Sequence, residues 1–268
     1  MQFGYCMGVK FLGDDALAKA TFEAVAEAGF DYVELPLAAL SEMTASEIAK
    51  LKEALQVIPC KACNLFFPGS LTIVGPNQDL PGINAYLEKM LPLAESLGVK
   101  TLVFGNGGAR KIPEGQTREA IWKDLRTVVE AMEAQLRKTK VRMDISVEPL
   151  NRTETDMINS YSEAVTLTEG LTQVFTMIDS YHVAKEGQTY DDVYKHPHAM
   201  WHLHTANPIG RMVPSPEDDM ALYADFVKMV KALGYYGMIS VEGALKAKDP
   251  QDILPEVKAC LDTLKKMF

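Results

Sequence analysis

This 268-residue chain is short of most features that would classify it at once. It has no surplus of basic charge: 27 Lys and Arg stand against 36 Asp and Glu, for a formal net charge of −9. Proteins that grip nucleic acid gain much of their affinity by setting basic side chains on phosphates, so no nucleic-acid partner is expected. No stretch approaches the roughly 20 apolar residues of a membrane helix. The opening, MQFGYCMGVKFLGDD, lacks a basic segment followed by an apolar run, so neither a membrane partner nor a signal peptide is expected, and the cytoplasm is the expected location. There are only four cysteines. Cys60 and Cys63 form a C-x-x-C, but no second pair exists to complete a zinc site. On a strand, positions three apart face opposite sides, so the two are read as ordinary core and surface thiols. Histidine is scarce too: the five fall between His182 and His204. Neither a P-loop nor a dinucleotide-binding fingerprint is present.

What is present is a rhythm. Short apolar runs at 2–7, 31–36, 60–65, 100–105, 142–148, 174–179, 200–204 and 238–242 read as strands. Amphipathic stretches such as 16–28, 47–55, 83–97, 118–136 and 220–233 lie between them and read as helices. AEAGFDYVEL, AESLGVKTLVF and VKALGYYGMISVE share one plan of helix, glycine and strand, with Gly29, Gly98 and Gly234 where C-cap glycines belong. Strands alternating with helices predict a parallel sheet. Eight such units in about 250 residues predict an α/β fold of one kind, a single (β/α)₈ TIM barrel spanning 1–268. The sixth and seventh units are the least clear, because 190–198 offers little helix. The long segment 66–81 follows the third strand and reads as a lid or substrate wall.

Active sites of such barrels lie at the C-terminal ends of the strands. The fifth strand ends in Glu148, the sixth in Asp179, the seventh in His204 and the eighth in Glu242; the same four letters, ISVE, close the fifth and eighth. Each residue alone is an ordinary strand-end group. Together, on four consecutive strands at one rim, they form an oxygen-rich donor set with one nitrogen. That set suits one Mn²⁺, with Mg²⁺ or Co²⁺ as alternatives, better than a structural zinc. The expected partner is a small molecule. In the stretch Gly105–Arg110, glycines and an arginine fit either an anion-binding loop or a plain tight turn. Phe66, Phe67 and Tyr181 are candidates for an apolar wall, and Asn151 and Arg152 for groups that orient Glu148.

At VEPLNR (147–152), the D-x-x-H of Asp179–His182, HLH ending in His204, Arg211 and VEG (241–243), the chain resembles the xylose isomerase-like barrel superfamily. The resemblance covers most of the chain and is nearest to the sugar phosphate isomerase/epimerase group, with its ketose 3-epimerases and hydroxypyruvate isomerase. VFGNGGARKIPEG (103–115) adds to it. The resemblance implies that Glu148, Asp179, His204 and Glu242 are metal ligands. It also implies that Glu148 and Glu242 are the catalytic acid/base pair, and that His182 and Arg211 contact substrate. Two departures fall on the sugar-contacting surface: TANPIG carries no glutamate where the ketose 3-epimerases usually have one, and the first-strand loop has neither Trp nor His.

The implied activity is a divalent-metal-dependent sugar epimerase or isomerase, first of all a ketose 3-epimerase acting on a sugar or sugar phosphate. One glutamate would take a proton beside a carbonyl, giving a metal-stabilised enediolate, and the other would return it. The same groups would serve aldose–ketose or hydroxypyruvate-type isomerisation, or a lyase or C-glycoside-cleaving subunit. A non-catalytic sugar-binding barrel and an abasic-site endonuclease rank lower, the second because its three-zinc cluster needs more histidines than this chain offers. A homo-oligomer is compatible with the sequence, which carries no diagnostic stripe for one.

Overall fold

The structure is a computed structural model and describes residues 1–268. Eight parallel strands close into a barrel in sequence order: β1 (Gln2–Cys6), β2 (Tyr32–Pro36), β3 (Cys60–Asn64), β4 (Thr101–Phe104), β5 (Asp144–Val147), β6 (Val174–Asp179), β7 (Met200–Thr205) and β8 (Met238–Val241). β8 pairs with β1 from Gln2 opposite Met238 to Tyr5 opposite Val241, which seals the barrel. The predicted strands are all found, several of them a residue or two shorter at their ends.

The helices are α1 (Ala16–Ala28), α2 (Leu37–Ser41), α3 (Ala45–Ala54), α4 (Leu80–Ser96), α5 (Arg118–Thr139), α6 (Tyr161–Thr168), α7 (Ser180–Lys185), α8 (Asp191–Lys195), α9 (Ala224–Ala232) and α10 (Pro250–Met267). Local chemistry sets their ends. Asp15, Thr44, Asp79, Thr117 and Ser160 each cap a helix by accepting from a backbone N–H of its first turn, and Thr44 and Glu47 complete a capping box. Gly29, Gly98 and Gly234 take φ of 90°, 94° and 59°, the left-handed conformation that ends a helix at little cost to glycine. As 190–198 foreshadowed, the connection between β6 and β7 holds only the short helices α7 and α8, whereas that between β7 and β8 carries the nine-residue α9. Residues 220–223 form a 3-10 turn ahead of α9 rather than its first turn. None of the helices is long and apolar enough to cross a membrane.

The apolar core lies between the barrel and its helices, where α1 and α10 pack together beside β1. Inside the barrel the lining is strongly polar. Tyr32 and Glu34 of β2, His202 of β7 and Ser240 of β8 are fully buried and hydrogen-bonded across the lumen. The reading of the C-x-x-C needs correction. β3 carries a bulge opposite Val33/Glu34 that upsets the two-residue alternation between Cys60 and Ala62. Cys60 and Cys63 are both free and both buried, and contact with Cys60, together with burial, pushes the Cys63 thiol well up. Neither is a surface thiol.

Segment 66–81 is irregular until α4 begins, as expected, but it is tied down. Gly75 N–H donates to Asp124 Oδ2 (2.7 Å), Gln78 Nε2 donates to Ile73 O (2.8 Å), and Tyr86 donates to Phe66 O (2.6 Å). Phe66 and Phe67 are buried against Phe104 and so belong to the core, and Phe67 also lines the cavity between the loops after β3 and β4.

The closeness of the lumen packing is testable at Gly4. A Cβ there would lie 2.2 Å from the Tyr32 ring, whose hydroxyl is fixed on Ser240 at 2.8 Å. Gly4→Ala is expected to destabilise the fold by about 1–3 kcal/mol in urea unfolding; an unchanged midpoint would contradict this packing.

Candidate active site

Glu148, Asp179, His204 and Glu242 meet at the C-terminal rim, one from the end of each of β5, β6, β7 and β8. Each offers one donor atom, and the four atoms lie within 4.8 Å of one another. His204 is central: its Nδ1 is 3.4 Å from Glu148 Oε1 and 3.3 Å from Glu242 Oε2. Asp179 is fully buried, and its Oδ1 is used in accepting from Tyr181 N–H, which caps α7 and leaves Oδ2 aimed at the cluster. The Glu242 side chain keeps 25% of its surface exposed, so the site opens to solvent on that side.

His182 and Arg211, the expected substrate-contacting pair, border the same cluster. Asn151 N–H donates to His182 Nδ1 (3.2 Å), so in the neutral ring the hydrogen sits on Nε2. That nitrogen is 3.5 Å from Asp179 Oδ2 and 3.8 Å from Glu148 Oε1. Arg211 donates to Glu242 Oε2 (2.7 Å) and lies over the Tyr181 ring. Its backbone is left-handed, φ 53°, and follows Gly210 at 81°. The β7 loop thus folds back, with Asn207 N–H bonded to Met212 O, and turns the guanidinium inward.

Several functional neighbours had no obvious signal. Glu154, six residues after Glu148, accepts from Arg211 Nη1 (3.3 Å) and from Asn151 Nδ2 (2.9 Å). A glutamate thus stands beside Arg211 although TANPIG supplies none. Asn64 donates to Glu242 Oε1 (3.4 Å). Glu34, midway along β2, takes hydrogen bonds from both lumen histidines; its one hint was a carboxylate inside the otherwise apolar YVELP. The roles given to Asn151 and Arg152 change. Asn151 orients His182, not Glu148, while Arg152 pairs with Glu186 at the surface. Tyr181 supports Arg211 from below the guanidinium rather than walling a sugar alone.

Gly105–Arg110 is not an open anion loop. Arg110 is fully buried, lies over the Phe104 ring, and donates to the Glu148 carbonyl (2.9 Å). Burial lowers its pKa to about 10, with Glu148 and Glu154 opposing. Arg110 is therefore a fixed cation beneath the acidic cluster. Gly105 is needed for clearance: a Cβ there would stand 2.0 Å from Glu148 Oε2.

The donor set fits a divalent cation. Glu148 Oε1, Asp179 Oδ2 and His204 Nδ1 are buried and have no hydrogen-bond partner. Leaving such atoms unpaired is costly, and a cation among them would satisfy all three. Three carboxylates with one imidazole is the composition oxygen-preferring ions take. Without a cation the charges strain one another. Burial, then Glu148 and Glu242, raises the pKa of Asp179. Burial would raise Glu148 as well, but His204, His182 and Arg211 outweigh it and hold that group low. Burial opposes the charged form of His204, yet Glu34, Cys6, Glu148 and Glu242 keep its pKa well above the ordinary value.

A closed parallel barrel with an acid–histidine cluster on its C-terminal rim defines the class. The chain belongs to the xylose isomerase-like TIM barrel family, which it matches over residues 22–264. No curated protein sequence matches it. Among solved structures it is similar to 3-keto-D-glucoside 4-epimerase from E. coli (21% identity, 99% of each chain, TM-score 0.77). It is also similar to D-allulose 3-epimerase from Methylomonas sp. in complex with D-allulose (19% identity, 100% of this chain and 97% of that one, TM-score 0.77). A third is D-psicose 3-epimerase from Clostridium cellulolyticum H10 with D-tagatose (20% identity, 100% and 99%, TM-score 0.77). At these identities the likeness establishes the fold.

Gly105→Ala tests the cluster geometry. The atom displaced is the far end of a side chain, so the melting temperature should barely move. Divalent-cation binding, read by Mn²⁺ titration, is expected to weaken at least about tenfold, the scale seen when ligand geometry is disturbed. Unchanged binding would show that Glu148 need not sit where it does.

Proposed function

We propose that this chain is a divalent-cation-dependent sugar epimerase or isomerase, most specifically a ketose 3-epimerase. Its cation site would be Glu148, Asp179, His204 and Glu242, and Mn²⁺ is the favoured ion. The observation that carries this reading is the convergence of three unpartnered buried donor atoms, with Glu148 Oε1 3.4 Å and Glu242 Oε2 3.3 Å from His204 Nδ1. The named activities of the three structures described above are sugar epimerisations and point the same way.

A bound cation would supply Lewis-acid polarisation of a sugar carbonyl and its neighbouring hydroxyl. The chain's own groups do the rest. One of Glu148 and Glu242 takes the proton from the carbon beside the carbonyl, and the other delivers one to the opposite face, inverting that carbon. His182, with its hydrogen on Nε2, donates to a substrate oxygen. Arg211 exchanges its bond to Glu242 for one to a distal hydroxyl or a phosphate. Transfer between adjacent carbons by the same pair would give aldose–ketose isomerisation. Small sugars in the cytoplasm, rather than nucleic acid, are the proposed substrates: the net charge of −9 and a site with a single histidine ligand oppose a nuclease.

One observation favours a larger keto-glycoside as substrate. A cavity of about 500 Å³ lies between the loops after β3 and β4, lined by Leu65, Phe67, Leu71, Ile73, Asn106 and Lys111 among others. Two of its lining residues follow residues of the rim directly in the chain: Leu65 follows Asn64, which bonds Glu242, and Asn106 follows Gly105, which lies against Glu148. Leu65 is half exposed at its edge, with φ 42°. A substituent on the sugar would fit there.

Two outcomes test the reading. At saturating Mn²⁺, Glu148→Gln and Glu242→Gln are each expected to lower turnover of a ketose by about 10²–10⁴-fold, the range for general acid–base groups. Full turnover in either would remove it from the mechanism. His204 and Asp179 both hold protons to higher pH than usual, and protons compete with a cation for the same atoms. Mn²⁺ affinity is therefore expected to fall from about pH 8 to about pH 6, with protons released on binding. A flat profile would contradict the ligand set.

A further inference from the structure

β2 runs Tyr-Val-Glu-Leu-Pro, and its glutamate has no solvent-accessible surface. A buried carboxylate is costly unless its oxygens are fully hydrogen-bonded. Here they are. Glu34 Oε1 accepts from His204 Nε2 at 3.0 Å, and Oε2 accepts from His202 Nε2 at 3.0 Å and from Ser240 Oγ at 2.6 Å. Tyr32 Oη lies 2.8 Å from Ser240 Oγ and extends the chain of contacts. One carboxylate thus holds two histidines of β7, two positions apart on the same inward face.

The consequence falls on His204. A histidine whose Nε2–H is committed to a carboxylate presents the lone pair of Nδ1. That Nδ1 is the atom lying between Glu148 and Glu242, buried and without a hydrogen-bond partner. We propose that Glu34 is a positioning residue: by bridging His204 and His202 it fixes the ring orientation and tautomer of His204, and so makes Nδ1 a cation ligand. This rests on the reading of His204 as a ligand. Carboxylate partners of this kind raise the basicity of a metal-binding imidazole as well as orienting it. Cys6, Glu34 and His204 also have potential ligand atoms within 4.8 Å of one another. Both Glu34 oxygens are already engaged, so the geometry assigns Glu34 to the histidines and not to a second cation.

The test compares Mn²⁺ titration and the melting temperature of the metal-free protein in the wild type, Glu34→Gln, Glu34→Asp and Ser240→Ala. A glutamine has one acceptor oxygen and must face one of the two histidines with N–H, so it cannot hold both rings as found. Glu34→Gln is expected to weaken Mn²⁺ binding by about 10- to 100-fold. Glu34→Asp keeps both oxygens and should recover part of the loss; it also serves if the glutamine variant does not fold. Ser240→Ala removes a donor to Oε2 but leaves the His204 contact, so it should lower stability while leaving Mn²⁺ affinity within about threefold. The wild type should bind one Mn²⁺, not two. If Glu34→Gln binds Mn²⁺ like the wild type, or if affinity merely follows melting temperature across the set, the positioning role is overturned while the cation site stands. If the wild type binds no Mn²⁺, the cation site itself is overturned, and the inference with it.

Discussion

Putting three carboxylates and an imidazole within 4.8 Å of one another, mostly out of water, is the constraint around which the rest of this barrel is arranged. Like charges that close disfavour their own ionised forms, and the surroundings compensate. Arg211 reaches in from the β7 loop to Glu242 and lies 3.5 Å from Asp179. Arg110 places a buried cation against the Glu148 main chain. His182 stands between Glu148 and Asp179. Two arginines and the His182 ring thus border the cluster without filling its centre, where Glu148 Oε1, Asp179 Oδ2 and His204 Nδ1 remain without partners.

The same constraint explains the polar lumen. A barrel of this size is ordinarily filled with branched apolar side chains, and here the outer shell against the helices supplies the apolar core instead. Inside, Glu34, His202, Ser240 and Tyr32 form a connected set in which the carboxylate is fully bonded. His202 Nδ1 alone in this set stays buried without a partner. The set lies directly beneath His204, whose Nε2 is held 3.0 Å from Glu34 Oε1.

Much of the fold was legible because it depends on local pattern. Alternating apolar runs and amphipathic stretches, with glycines at 29, 98 and 234, marked the units. The C-terminal strand ends then pointed to Glu148, Asp179, His204 and Glu242, and the structure brings those four together with His182 and Arg211 close by. What was not legible depends on partners distant in sequence. Glu34 contacts residues 168 to 206 positions away, and nothing near it in the chain marks it as a partner of β7. Glu154 meets the site through Arg211, 57 positions away. The Cys60–Cys63 pair was misread because a bulge, invisible in the residue types, breaks the alternation on which the reading relied. Asn151 follows Glu148 in sequence but its side chain meets His182, 31 positions further along the chain.

Exchange with solvent deuterium tests the central claim most directly. Mn²⁺-loaded protein would be mixed with a panel of ketoses, ketose phosphates and a keto-glycoside in D₂O, and the product, freed of metal, read by NMR. The account predicts deuterium at the carbon beside the carbonyl, together with the inverted diastereomer, and loss of both when either Glu148 or Glu242 is changed to Gln. Substrates recovered without deuterium from protein shown to carry one Mn²⁺ per chain would contradict it.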